Sequence, residues 1–374
     1  MKDRSIDLTK PTLVPWEQVE PLFAEVWQSG RLTVGPYTAA FEAEAAKRMN
    51  VDHVVAVNSC TSGMMLVVRA LELTGEIIIP SFTWASTGHA VVWNGLMPIF
   101  ADVLPDTYTL DAADVERRIT KRTSAIIATN AFGLYPDMTA LQEVAARHGL
   151  PLLCDSAQAM GARCDGVIGG GLCRAEIFSL SPTKVVTAVE GGLLTTNDAK
   201  LAQQVRNMRD YGKSADGTDV ESFGLSARIS EFHSIVGLQN LKRVDDLIAA
   251  RELIVEMYRR ALENVPGVSF QTIPAGWRST HNYFVVFLAP ERYDRDRVWQ
   301  LMSERKVQTK RYFYPPLHRQ TSYACFPAPA PPLPVTEQAS ATALALPLYS
   351  HMAIEEVEMV CERLKQALND ATVI

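Results

Sequence analysis

The sequence predicts an α/β protein: a large unit with a mostly parallel sheet, expected over residues 1–247, followed by a smaller C-terminal α+β unit over 248–374. Three observations predict it. From Val54 onward, short apolar runs alternate with amphipathic stretches, the pattern of βαβ units whose sheet is covered on both faces. After Ser230 that beat gives way to long helical periodicity, and from Val268 strands and helices mix. A chain of 374 residues has room for one large and one smaller unit.

Composition narrows the function classes. Hydrophobic residues at 47% and charged residues at 21% are ordinary for a packed chain and argue against disorder. The net charge is −6, with no lysine or arginine block. That disfavours nucleic acid as a main partner and still allows a local basic pocket for a phosphate. The start, Met1-Lys2-Asp3-Arg4-Ser5-Ile6-Asp7, is charged, and no later apolar run approaches a membrane span, so a soluble, cytoplasmic protein without a membrane partner is expected. The six cysteines include no C-x-x-C pair and read as reduced, packed thiols; the seven histidines are scattered without metal-ligand spacing.

In chain order, a proline-punctuated opening (Pro11, Pro15) leads to a helix carrying Val19, Leu22, Phe23 and Val26. A turn at Gly30–Pro36 follows, then a helix led by Tyr37 and Phe41. The expected strands are Val54–Val57, Ile77–Pro80, Pro98–Ala101, Ala125–Thr129, Leu150–Asp155, Ile177–Ser181 and Leu193–Thr196. Arg147-His148-Gly149 is a helix stop. Phe232, Ile235, Leu238, Leu241, Val244 and Leu247 continue one helical face from Ser230 to about Leu262, as a link between units, a dimer contact or plain core packing. The last part carries strands at Tyr283–Leu288 and Leu344–Leu348, helices at Arg295–Glu304 and Ile354–Leu368, and a proline-rich surface loop at 327–334.

Chemistry concentrates at the strand ends. Lys184 lies between Phe178-Ser179-Leu180-Ser181-Pro182-Thr183 and a second apolar run that leads to Glu190-Gly191-Gly192. A buried ammonium is costly and tends to lose its proton, which makes it a nucleophile toward an aldehyde cofactor. A strand-end lysine whose stem packs while its head reaches water is the other reading. Asp155 ends its strand where open α/β sheets hold ligands, or else caps a following helix. An amine and a carboxylate on two such ends suit pyridoxal 5′-phosphate, whose aldehyde carbon needs the lysine and whose pyridinium nitrogen needs an anion. Asn58-Ser59-Cys60-Thr61-Ser62-Gly63 opens the helix Met64–Leu73, offering amides and a positive helix end to a phosphate, or simply caps from Ser59 or Thr61. It lacks the glycine pattern of a dinucleotide fingerprint or a P-loop. Phe82 and Trp84 follow the second strand, where either can stack on a flat ring or fill the core.

The ordered set S-C-T-S-G, P-S-F-T-W, C-D-S-A-Q-A-M-G-A, F-S-L-S-P-T-K, V-E-G-G, G-L-S-A-R-I-S-E, R-Y-F-Y-P-P-L-H and L-P-V-T-E resembles the DegT/DnrJ/StrS family of pyridoxal-phosphate-dependent nucleotide-sugar aminotransferases over nearly the whole chain. The resemblance implies fold type I of the pyridoxal-phosphate-dependent transferases. It implies that Lys184 holds the cofactor and then shuttles a proton, Asp155 pairs with the pyridine nitrogen, Gln158 lies near the ring hydroxyl and Trp84 stacks on the ring. Cys60, Thr61 and Ser179 would bind the phosphate. A loop of the partner subunit in a homodimer, matching Ser226-Ala227-Arg228, would complete each site, and Tyr314 and His318 match the segment near the nucleotide sugar.

Three departures bear on these implications. Ser226 stands where the family usually has a longer Asn, and Ser181 and Asn130 stand where His is common. Lys184 itself, where a minority branch has His and dehydrates, argues for transamination. The expected reaction moves an amino group from L-glutamate to a nucleotide-linked keto-deoxysugar. The Arg311–His318 segment and the T-K…E-G-G form look more like C-4 than C-3 enzymes, so a dTDP-4-keto-6-deoxyhexose is the expected acceptor. C-3 amination, dehydration or C–S cleavage on the same fold, and a non-catalytic cofactor-binding regulator are the alternatives.

Overall fold

Strand and helix alternate from His53 to Asp155 as the apolar beat requires; from there to Thr196 the strands follow one another with no helix between them. The structure is a computed structural model describing residues 5–214 and 216–373; positions 1–4 of the charged start lie outside the described residues. Two helices lead, α1 (Trp16–Ser29) and α2 (Pro36–Met49). Then come β1 (His53–Val57), α3 (Cys60–Ala70), β2 (Glu76–Pro80), α4 (Ala85–Val92), β3 (Met97–Ala101), α5 (Ala112–Arg118) and β4 (Thr123–Thr129). The unit continues with α6 (Met138–His148), β5 (Leu152–Asp155), a small hairpin β6 (Arg163–Cys164) and β7 (Val167–Ile168), β8 (Ala175–Ser179), β9 (Gly192–Thr196) and α7 (Ala199–Met208). The caps are local: Asp111, Asp137 and Asp198 accept backbone N–H groups at the starts of α5, α6 and α7, and Gly149 closes α6 in the left-handed region. Each cap stabilises its helix by about 1 kcal/mol.

The seven strands order as β1-β9-β8-β5-β4-β2-β3. β2, β3, β4, β5 and β8 pair in parallel, and β9 runs antiparallel to both β8 and β1. Every strand but β9 therefore ends on one edge. Ile77, Ile79, Ile127 and Leu153 pack toward one helical layer, and Ile78, Ile126 and Cys154 toward the other, which is why these strands read as continuous apolar runs.

The expected single helix from Ser230 to Leu262 is two, α8 (Glu231–Leu241) and α9 (Val244–Leu262). Apolar periodicity runs through the break at Lys242 and Arg243, so the sequence shows no seam there. The break lets α8 lie on α2 while α9 crosses to a second core. That core surrounds β10 (Val268–Phe270), β11 (Phe284–Leu288), α10 (Arg295–Glu304), α11 (Pro334–Thr342), β12 (Ala343–Leu346) and α12 (Ile354–Asp370), the three strands forming an antiparallel sheet β10-β11-β12.

The boundary drawn at 247 falls within α9, whose Leu247 and Ile248 join the first unit's core while Ile254 and Tyr258 join the second's. Ile6, drawn with the first unit, is buried in the second core and bridges Val307. The cysteines in the structure are free thiols. Among the described residues no helix is long and apolar enough to cross a membrane.

Candidate active site

At the shared strand edge a cavity of about 330 Å³ opens, and its walls come from the turns after β1, β2, β4, β5 and β8 and the start of β9. The upper wall comes from the C-terminal unit through Tyr283, Lys310, Tyr312 and Phe313.

Asp155 is the last residue of β5, and the chain after it turns without forming a helix. The capping alternative therefore does not apply. Its side chain is buried and held on both oxygens: Thr87 Oγ1 donates to Oδ2 at 2.6 Å and the Ala157 N–H to Oδ1 at 3.2 Å. Thr83 backs Thr87 at 3.0 Å. Burial pushes the carboxyl above the ordinary range, opposed by Thr87, Ala157, the charge of Lys184 and the Cys60 thiol. A carboxyl whose charged form carries that penalty gains from a cationic N–H partner.

Lys184 sits on the loop from Leu180 to Gly191, not at the tip of a strand, because β8 ends at Ser179. The second apolar run forms no strand; Val185, Val186 and Ala188 plug the core beneath the lysine. Backbone bonds Leu180 N–H to Gly191 O and Ala188 N–H to Leu180 O, both 2.9 Å, lock the loop. The lysine thus faces the cavity from a rigid base, with its Nζ 6.0 Å from the centre of the Tyr283 ring.

At the start of α3, Ser59 accepts from the Ser62 N–H at 3.1 Å and its carbonyl takes the Gly63 N–H. The N–H groups of Cys60 and Thr61 have no helical acceptor and border the cavity, as Ser179 does across from them. The Cys60 thiol points elsewhere, 3.9 Å from Asp155 Oδ1 and 3.7 Å from Ile177 O; burial, then the Asp155 charge, pushes it well up. Gly192 explains part of the glycine pair. A Cβ there would lie 2.7 Å from Cys60 N and 2.8 Å from Ser59 C, so only glycine lets β9 press against this turn.

The aromatics divide. Phe82 is fully buried, whereas Trp84 is 53% exposed and lines the cavity. Gln158 lines it too, with a buried Oε1 that has no partner, and the same holds for Asn130 Oδ1.

Sequence reasoning missed Tyr283 and Lys310, whereas Tyr312, expected with Arg311, Tyr314 and His318 as a donor to the diphosphate of the sugar nucleotide, does line the cavity. Tyr312 belongs to the R-Y-F-Y motif and Lys310 adjoins it, the one local signal available; Tyr283 opens an apolar strand and carries none. Tyr283 donates to Thr183 Oγ1 at 3.3 Å and meets the Tyr312 hydroxyl at 3.5 Å.

Four predicted residues lie off the cavity of their own chain. Ser226 is exposed beside Asn58, whose Nδ2 donates to the Ser226 carbonyl at 3.2 Å, and Arg228 pairs with Asp210 at 3.2 Å. Tyr314 stacks between Arg295 and Arg311, at 4.8 and 5.0 Å. His318 is held by Ser81 at 2.7 Å and Glu337 at 2.8 Å. Both of its ring nitrogens are engaged within the chain, so it braces the segment after β2 instead of facing the cavity.

Residues 17–365 match the model of the DegT/DnrJ/EryC1/StrS aminotransferase family. The chain belongs to that family. It is 27% identical to the dTDP-4-amino-4,6-dideoxy-D-glucose transaminase of Escherichia coli, covering 97% of this chain and 99% of that one. It is 31% identical to the dTDP-3-amino-3,4,6-trideoxy-alpha-D-glucose transaminase of Micromonospora megalomicea subsp. nigra, covering 92% and 93%. The crystal structure of DesI in the presence of its TDP-sugar product superposes with a TM-score of 0.92 at 33% identity, covering 98% of this chain and 93% of that one. The fold is thus the fold type I arrangement expected, and the chain is an aminotransferase of this family.

Pyridoxal phosphate is the cofactor that the family implies, and the donor set fits it. Asp155 is a buried carboxyl whose charged form burial penalises, a cost that a ring N–H would offset. Gln158 Oε1 and Asn130 Oδ1 are unpartnered buried acceptors for a ring hydroxyl. The open amides of α3 with Ser179 suit a phosphate.

Proposed function

We propose that this aminotransferase carries pyridoxal phosphate and moves an amino group from L-glutamate to C-4 of a dTDP-4-keto-6-deoxyhexose, as a homodimer with shared sites. The observation that carries the reading is the meeting of Lys184, Asp155 and Trp84 on one cavity. When bound, the cofactor supplies an electrophilic carbon and a ring that accepts the electrons released at the donor's Cα.

The rest falls to the chain. Lys184 Nζ would hold the cofactor and, once freed from it, would move the proton at the donor's Cα. Asp155 keeps the ring nitrogen protonated, with Thr87 and the Ala157 N–H fixing the carboxylate plane. Trp84 would stack on the ring, and the α3 amides with Ser179 would hold the phosphate. The same groups then serve the keto sugar in the second half of a ping-pong cycle.

A nucleotide-linked acceptor is supported by the relatives named as dTDP-sugar transaminases and by DesI with its TDP-sugar product. The E. coli relative supports C-4; the Micromonospora relative supports C-3 as the second reading. Shared sites are supported by Ser226 and Arg228 lying off their own cavity. They are supported as well by the exposed apolar side chains of Leu13, Trp16, Trp27 and Leu32 at and around α1. Turnover with L-glutamate against a panel of dTDP-4-keto and dTDP-3-keto sugars, with NMR of the products, tests the acceptor. Amination at C-4 is expected; turnover of 3-keto sugars alone replaces it with the second reading, and no turnover of either overturns the acceptor class.

A further inference from the structure

Lys184 and Lys310 are the two cations among the residues lining the cavity, and the first already has its role in the reading above. Lys310 is carried by the C-terminal unit, where its N–H donates to Ala345 O at 3.2 Å and its carbonyl accepts the Ala345 N–H at 2.7 Å. That pairing with the edge of β12 fixes where its side chain starts. Its ammonium stands 5.0 Å from the centre of Trp84 and 4.7 Å from that of Tyr312. Among the described residues no carboxylate makes an ion pair with it, whereas Arg311, next in the chain, is paired with Asp296 at 3.1 Å and Arg228 with Asp210 at 3.2 Å. Ring faces give an ammonium part of what it wants but no counter-ion.

The rings also connect it to the reacting amine. Tyr312 meets Tyr283 hydroxyl to hydroxyl at 3.5 Å, and Lys184 Nζ stands 6.0 Å from the centre of the Tyr283 ring. A cation that lines the same cavity as the nucleophile and has no counter-ion of its own suits an anion that a substrate brings. An amino-acid donor has one at the reacting carbon, because its carboxylate is bonded to the same Cα that gives up the proton. The diphosphate of a sugar nucleotide lies across the sugar ring from a C-4 keto carbon, hence farther from Lys184.

We propose that Lys310 receives the α-carboxylate of the amino-group donor and so selects an amino acid in the first half-reaction. The inference rests on the aminotransferase reading of this cavity. Two measurements on the holoenzyme test it: binding of glutarate, which is not turned over, by calorimetry, and the glutamate half-reaction followed by the cofactor's absorbance. In Lys310→Met, glutarate should bind roughly ten- to a hundredfold more weakly, as expected when a charge-assisted bond is lost. Half-saturating glutamate should rise by a similar factor with a smaller change in maximal rate, and Lys310→Arg should restore most of both. The half-saturating keto-sugar concentration should not move. Lys310→Gln checks that lost packing of the side chain is not the cause. Wild-type enzyme that fails to transaminate glutamate counts against the underlying reading. An active wild type with Lys310→Met unchanged within about twofold, or impaired only toward the sugar nucleotide, overturns the role of Lys310.

Discussion

Asp155 is expensive to bury, and its surroundings indicate what the expense serves. Because burial raises its carboxyl in the folded chain, the protonated form is favoured there. Its contribution to stability is therefore present below the unfolded carboxylate value and lost as pH rises through the raised folded value. The cofactor-free protein should accordingly fall behind its Asp155→Asn variant in Tm as pH goes from about 4 to 8, by on the order of a few degrees. Loading the cofactor should close that gap, because a ring N–H supplies the missing cation. The same variant should lose transamination by on the order of 10²-fold, since a neutral amide leaves the ring nitrogen unprotonated. Equal Tm across that range, or unchanged turnover, would place the ring's partner elsewhere. At this scale Lys184, Asp155, Trp84 and Gln158 were legible because each follows a strand whose end is readable. Lys310 and Tyr283 were not, because a second unit brings them to the edge and no local pattern records that approach; Tyr312 was readable only as part of the Arg311–His318 segment.

Among elements, the turn from β1 into α3 is the most constrained, since three chain segments converge on it. Ser59 caps the helix, Cys60 and Thr61 present amides, and Gly192 of β9 packs against the backbone from behind. Gly192→Ala puts a methyl within 2.7 Å of Cys60 N, where the contact is backbone and has no flexible end to yield. The expected outcome is a folded protein whose cofactor affinity drops at least about tenfold, of the size of one lost charge-assisted bond. Equilibrium dialysis of the cofactor checks it, and wild-type affinity in that variant would show that the turn does not hold the phosphate. The strands of the large sheet, with β11 and β12, were legible from their apolar runs to within about two residues, whereas β6, β7 and β10, only two or three residues long, left no such run. The helix break at Lys242 was not, because an apolar stripe shows no interruption when a chain changes direction between two cores.

For the whole molecule, α9 ties the cores together and Ile6 stitches the first described residues to the second unit. One chain therefore builds both walls of the cavity, yet Ser226 and Arg228 are not among its lining, and Arg228 pairs with Asp210 instead. In a homodimer with shared sites those residues serve the neighbour. Mixing inactive Lys184→Ala chains with inactive Arg228→Ala chains under exchange should then restore up to about a quarter of wild-type activity, the share expected for one intact site in half of the dimers. Recovery of none would mean that each subunit builds its site alone.

Transamination by Lys184 and Asp155 on this cavity stands or falls with one half-reaction. Wild-type holoenzyme given L-glutamate without an acceptor should turn from the yellow lysine-bound form of the cofactor to its colourless amine form, releasing one equivalent of 2-oxoglutarate per site, while Lys184→Ala should do neither. A wild type that stays yellow and releases no oxo acid, or a Lys184→Ala protein that completes the conversion at the wild-type rate, would contradict it.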